Sequence, residues 1–123
     1  MQVGLLDPRF FAYYEETEWC VRVMRAGFKI LHVPKAKIWH KISLVARGAS
    51  LTVYYYMTRN RLIFLNAAQA SLGAWINTLI LEYFRTLVSW SLQPKWRGQK
   101  EHRKIMVRAI SDYFAGRFGQ ASL

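Results

Sequence analysis

Trp19, Cys20, Val23 and Met24 recur at helical spacing over residues 15–26 and share one face of that segment. Glu15, Glu18, Arg22 and Arg25 fall on the other face, where Glu18 and Arg22 are spaced to pair. Gly27 supplies the stop. Lys29 to Val33 is short and β-rich and ends at Pro34, and Ala36 to Trp39 is a second short strand candidate. Residues 42–50, with Ser43, Gly48 and Ser50, read as a loop. Beyond them the pattern turns helical: 51–68, then 72–92 halted by Pro94, then 99–117. The last of these carries Met106, Ile110, Tyr113 and Phe114 on one side and Lys100, Lys104 and Arg108 on the other. The expected fold is an α/β fragment, mostly helical: one helix and two short strands in residues 1–50, then a basic helical extension in residues 51–123.

Twenty uncharged residues separate Arg61 from Glu82, a length that could span a bilayer. Asn66, Gln69, Ser71, Gly73, Asn77 and Thr78 interrupt it, and Ser71-Leu72-Gly73 reads as a turn between helices. A packed or interfacial helix pair is the better expectation.

Composition sharpens this picture at three points. With 53% hydrophobic residues the chain can bury a core, so extensive disorder is not expected. The formal charge of +11 favours polyanions: phosphate groups, acidic lipid surfaces or nucleic acid. Cys20 is the single cysteine, which excludes an internal disulfide and suggests a reducing compartment. The N-terminus lacks a basic stretch followed by an apolar run, so no secretory signal is expected, and the chain reads as starting inside a longer ancestor.

Three groups carry candidate chemistry. Glu15, Glu16 and Glu18 occupy a helix start, where the positive end of the dipole stabilises acids without any further role. On a helical wheel, however, Glu16 joins Trp19, Cys20 and Val23 on the apolar face, where a carboxylate needs a cleft, a cation or a donor. An acid held there could act as a base toward a bound substrate. His40 closes the Ile38-Trp39 segment and is either an ordinary structural residue or a ligand for a metal or phosphate. In Tyr54-Tyr-Tyr-Met-Thr-Arg59-Asn-Arg61 the aromatics could stack on sugars and the arginines fork onto phosphates. Equally, the tyrosines could pack the helix while the arginines stay solvated.

Four ordered pieces carry a resemblance: Gly4-Leu-Leu-Asp-Pro-Arg-Phe-Phe, Tyr14-Glu-Glu-Thr-Glu-Trp-Cys-Val-Arg, Arg25-Ala-Gly-Phe-Lys-Ile, and Val33-Pro-Lys-Ala-Lys-Ile-Trp-His-Lys. Together with Tyr55-Tyr-Met-Thr-Arg-Asn-Arg-Leu-Ile-Phe, they resemble the C-terminal part of the catalytic domain of family 2 glycosyltransferases of GT-A fold, the bacterial rhamnosyltransferase-like and galactofuranosyltransferase-like members in particular. The resemblance covers roughly residues 3–66. It implies that Glu16 is the general base that deprotonates an acceptor hydroxyl, although the family more often has Asp there. It implies that Asp7, Glu15 and Trp19 belong to the acceptor wall and that His40 helps hold a divalent metal, Mg or Mn, on the nucleotide diphosphate. It further implies a membrane-associating or oligomerising helical tail, with Arg59, Arg61, Lys100, Lys104 and Arg108 toward phosphates or a membrane.

The family's nucleotide-binding half and its Asp-x-Asp metal motif have no counterpart in these 123 residues. The chain is therefore expected to be a C-terminal fragment of an inverting nucleotide-sugar-dependent glycosyltransferase that builds cell-surface polysaccharide or glycolipid. It is expected to be inactive alone and to hold no metal by itself. The expected partners are a nucleotide sugar and a lipid-linked or saccharide acceptor in the intact enzyme, an acidic membrane surface, and a partner chain that supplies the missing half. The expected location is cytoplasmic, peripheral on the inner face of the plasma membrane. The rival reading is a peripheral membrane-binding helical module without catalysis. A nucleic-acid partner is not expected: Lys95, Arg97, Lys100, Arg103, Lys104 and Arg108 cluster, but no nucleic-acid motif surrounds them.

Overall fold

The computed structural model describes residues 3–39 and 50–123. Its elements are α1 (Glu15–Arg25), α2 (Leu51–Ala67), α3 (Leu72–Ile76), a π-helical segment (Asn77–Phe84), α4 (Arg85–Leu92), a 3-10 turn (Pro94–Gln99) and α5 (Lys100–Phe114). The expected helices therefore form within a few residues of where periodicity puts them.

Local chemistry explains their ends. Ser50 and Ser71 have extended backbones, and their hydroxyls accept from the N–H groups of Val53 and Ala74, capping α2 and α3. The turn between these helices thus closes at Ser71, one residue before Leu72-Gly73. Three helices stop in the same way. In α1, Gly27 N–H donates to Met24 O and Phe28 N–H to Val23 O. In α5, Gly116 and Arg117 repeat the pattern on Tyr113 and Asp112, and in α2 Gln69 and Ala70 repeat it on Asn66 and Leu65. The reversing residue takes a left-handed backbone each time, with φ of 86° at Gly27, 69° at Gly116 and 49° at Gln69.

The body is helical. α2 packs chiefly on α5. Leu62, Leu65, Tyr83 and Met106 form the main buried cluster, flanked by Trp75, Leu79, Leu87 and Trp90. Tyr55, Tyr56 and Ala109 form a second cluster where α2 meets α5. At about 25 cal/mol per Å² of apolar surface removed from water, these contacts are the main favourable contribution to the body. No helix among the described residues is long and apolar enough to cross a membrane.

The expected α/β class is overturned. Among the described residues there is no strand. Lys29–Val33 and Ala36–Trp39 run without a pairing partner, and residues 28–39 are exposed throughout. A strand exists only in a ladder, so β-propensity without a neighbouring edge leaves an extended, solvated chain. The loop expected at 42–50 lies outside the described residues except for its last position, Ser50.

The orientation of α1 also differs from expectation: Val23 of the apolar face is buried, but the two acids exchange places. The wheel turns Glu16 inward and Glu18 outward. Instead Glu16 is exposed and Glu18 is 5% exposed. The cause is Arg22. Its guanidinium donates to Glu18 Oε1 at 2.7 Å, to Val3 O and to Leu5 O, pulling the polar face of α1 onto the N-terminal loop. Trp19 and Met24, on the apolar face, are left 38% and 53% exposed.

Candidate functional site

The acidic helix start is built by a clamp on a neighbouring helix. Residues 10–14 enter α1 through a turn in which Phe11, Tyr13 and Tyr14 all have positive φ, at 62°, 66° and 72°. This left-handed region is unfavourable for residues with a side chain, and three such residues within four positions persist only when the surroundings over-determine them.

Asn60 and Arg59 of α2 supply that determination. The Asn60 side-chain amide sits 2.7 Å from Phe10 O, 2.6 Å from Ala12 O and 3.0 Å from Tyr13 O, so its two hydrogens are shared among three carbonyls of the turn. Arg59 Nη2 donates to Gly119 O at 2.8 Å and, over longer contacts, to Arg9 O and Phe10 O, while Nη1 reaches Arg117 O. The turn and the C-terminal tail are thereby bound to the same guanidinium. Gly119 N–H closes the arrangement on Arg9 O at 2.9 Å.

The Arg59 charge is 1% exposed. Burying a cation is costly unless its donors are engaged. Here carbonyls take the N–H groups, and the aromatic faces of Tyr55 and Tyr56 each lie 5.2 Å from the guanidinium carbon. Tyr55 extends the network by donating to Asp112 Oδ2 at 2.6 Å, and Arg117 Nε donates to Asp112 Oδ1 at 2.7 Å. Burial pushes the Asp112 carboxyl up, but the bonds from Tyr55 and Arg117 outweigh it and hold the group below its ordinary value. Burial also raises the Tyr55 hydroxyl.

Glu16 opens from this assembly onto a broad cleft of about 380 Å³ lined with Tyr13, Tyr14, Thr17 and Met57. Two tyrosines and a threonine beside a carboxylate form a polyhydroxyl-compatible surface: ring faces to stack on, hydroxyls and a carboxylate to hydrogen-bond. Glu15 and Glu18 each keep one buried carboxylate oxygen, Oε2, without a partner. The α1 dipole favours all three acids in its first turn.

The remaining expected site residues divide. Asp7, Glu15, Glu16 and Trp19 come together in one loop-and-helix unit, since Trp19 Nε1 donates to Gly4 O at 3.1 Å. Asp7 is already engaged: Arg9 donates to it from Nε at 2.8 Å and from its backbone N at 2.9 Å, which holds the carboxyl below its usual range. His40 lies outside the described residues. Among the described residues, no three His, Cys, Asp or Glu side chains gather as a metal site. Arg59, expected at a phosphate or membrane, is buried instead. Arg61 pairs with Glu82, which also accepts from Asn77. Lys104 pairs with Glu101 at 2.9 Å, and Arg108 donates to Ser122 O beside Asp112. Lys100 is exposed.

Sequence reasoning missed the clamp role of Arg59 and Asn60. A signal was present, because Tyr56, Arg59, Asn60 and Ile63 lie at i, i+3, i+4 and i+7, the spacing of a single buried stripe.

A curated protein resembles the chain, dTDP-rhamnosyl transferase RfbF of Shigella flexneri. The two are 26% identical over 122 residues, an alignment covering 93% of this chain and 40% of that protein. The chain thus spans about two fifths of the length of the relative it matches. The likeness supports a glycosyltransferase-like relationship. No family model and no solved structure matches.

Proposed function

We propose that the chain is the acceptor-side segment of a glycosyltransferase, inverting and of the family 2, GT-A type, whose nucleotide-sugar half lies in further polypeptide. Glu16 is the base. Its carboxylate takes the proton of an acceptor hydroxyl as that oxygen attacks the anomeric carbon of the donor, and the nucleoside diphosphate leaves with the bond electrons. Glu15, Asp7 and Trp19 shape the acceptor wall. A divalent metal, Mg or Mn, would balance the diphosphate; its ligands would come chiefly from the other half, with His40 as this chain's contribution.

The observation that carries this reading is the clamped turn. Strain at three non-glycine residues within four positions, held by buried side chains, supports a carboxylate fixed at the edge of an aromatic, hydroxyl-lined cleft. The distant likeness to a rhamnosyltransferase agrees with it. So does the exposure of Trp19, Met24, Phe28, Ile30, Leu31, Ile38 and Trp39, an apolar surface that a catalytic half would cover.

The test joins the chain to a nucleotide-binding half and follows transfer from dTDP-rhamnose. Glu16→Gln is expected to lower kcat at least a hundredfold with an unchanged melting temperature. Full activity in that variant would remove the base assignment. For the isolated chain, calorimetry with dTDP and manganese is expected to give no micromolar binding; tight binding would overturn the division into two halves.

A further inference from the structure

The turn before α1 takes part of its support from the opposite end of the chain. Gly116 reverses the chain after α5 with φ of 69°. The residues beyond it return along α2, and none of residues 115–123 is buried. A cleft of about 210 Å³ stays open beneath them, lined by Tyr55, Arg59, Asp112 and Ser122. The tail therefore adds little apolar burial to the body, and what ties it down is polar.

Those polar ties converge on the turn. Gly119 commits both of its backbone groups there: its N–H donates to Arg9 O at 2.9 Å, and its carbonyl accepts from Arg59 Nη2 at 2.8 Å. Arg9 O and Phe10 O lie 3.4 and 3.5 Å from the same nitrogen. The bond to Gly119 is the short one, so it does most to fix where the guanidinium sits. Tyr56 forms a second bridge. Its hydroxyl accepts from Ala121 N–H at 2.9 Å, and its ring lies 5.3 Å from that of Phe11, one of the strained residues of the turn. Gly119 has φ of 75°, which glycine adopts at no steric cost and a β-branched residue resists. A Cβ added there would meet Pro8 O at 3.9 Å, an ordinary contact, so backbone conformation rather than space calls for glycine.

The left-handed residues of the turn persist only while their supports do. Tyr14, the last of them, is the N-cap of the helix that presents Glu16. An error of about 1 Å in placing a reacting group can cost about a hundredfold in rate. We propose that Gly119 is a positioning residue for Glu16: its backbone, through Arg9 and Arg59, holds the turn from which the carboxylate is aimed. The proposal rests on Glu16 being the base and carries that reading to the far end of the chain. Displacing the tail lowers the rate without removing any group from the cleft.

Gly119→Val tests it, with Gly119→Asn as the rescue, because asparagine tolerates left-handed backbone. In the full chain, hydrogen exchange read by mass spectrometry is expected to be about tenfold faster over residues 8–14 in Gly119→Val and unchanged over residues 62–66 of α2. Gly119→Asn is expected to exchange like wild type, as is Gln120→Ala at an exposed tail position. In the chain joined to a nucleotide-binding half, Gly119→Val is expected to lower kcat about tenfold or more, with KM for dTDP-rhamnose within about twofold. It is expected to add nothing further in a Glu16→Gln background. Unchanged exchange over residues 8–14 in Gly119→Val overturns the proposal, and so does an equal rise over both segments. Faster exchange with full kcat, in an enzyme that Glu16→Gln disables, overturns it as well. Full kcat in Glu16→Gln itself removes the base reading, and the proposal with it, whatever the exchange shows, so the two failures are told apart.

Discussion

The helical body and the N-terminal loop-and-helix unit are held by different means. In the body, Leu62, Leu65, Tyr83 and Met106 exclude water among themselves, and the stability is distributed. In the N-terminal unit, Phe10 and Val23 are the buried apolar residues, while Leu5, Leu6, Phe28, Leu31, Ile38 and Trp39 face outward. That unit is positioned by polar side chains instead: Asn60 and Arg59 on the turn, Arg22 on the loop, and Arg25 on Ala68 O at 2.6 Å. Ring contacts of Phe11 with Tyr56 and of Tyr14 with Phe64, at 5.3 and 5.6 Å, add to these. A distributed core tolerates single losses gradually, whereas a clamp concentrates the outcome in one or two residues.

The sharpest way to break that comparison is Arg59→Met. Removing the guanidinium leaves carbonyls of the turn and of the tail without donors, and stability is expected to fall by about 3–5 kcal/mol in urea denaturation. Loss below 1 kcal/mol would mean the clamp is decorative. Leu62→Ala probes the other side. At a fully buried position it is expected to cost about 2–5 kcal/mol, while Trp39→Ala, at 92% exposure, stays within about 0.5 kcal/mol. Equal effects at the two positions would erase the distinction between the regions.

Tyr55→Phe removes one buried hydrogen bond to Asp112 and is expected to cost about 1 kcal/mol. The same contact sets an acid sensitivity. The folded Asp112 carboxyl sits below its ordinary value of 3.8, so the charged form is favoured by folding. Its contribution is complete well above 3.8, declines as pH falls through that value, and is gone below the folded pKa. Denaturation midpoints of wild type and Asp112→Asn should therefore differ at pH 7 and converge toward pH 2. A small effect is also expected at Arg61 and Glu82, a partly exposed pair with side chains 32% and 39% accessible. Its double-mutant coupling should not exceed about 1 kcal/mol and should shrink in salt.

What was legible in the sequence was local. Helical spacing placed α1, α2 and α5, and Gly27, Ser71 and Pro94 marked stops and starts, because capping and periodicity act within a turn or two of chain. What only the tertiary structure decided was direction and partnership. In the acidic helix Glu18 turned inward because Arg22 bridges it to the carbonyls of residues 3 and 5. Arg59 became buried because carbonyls from both ends of the chain converge on it. Residues 29–39 have strand-forming side chains but no edge to pair with among the described residues, and a hydrogen-bond ladder requires two strands. Propensity is a property of a segment, whereas burial and pairing belong to whatever the fold brings beside it.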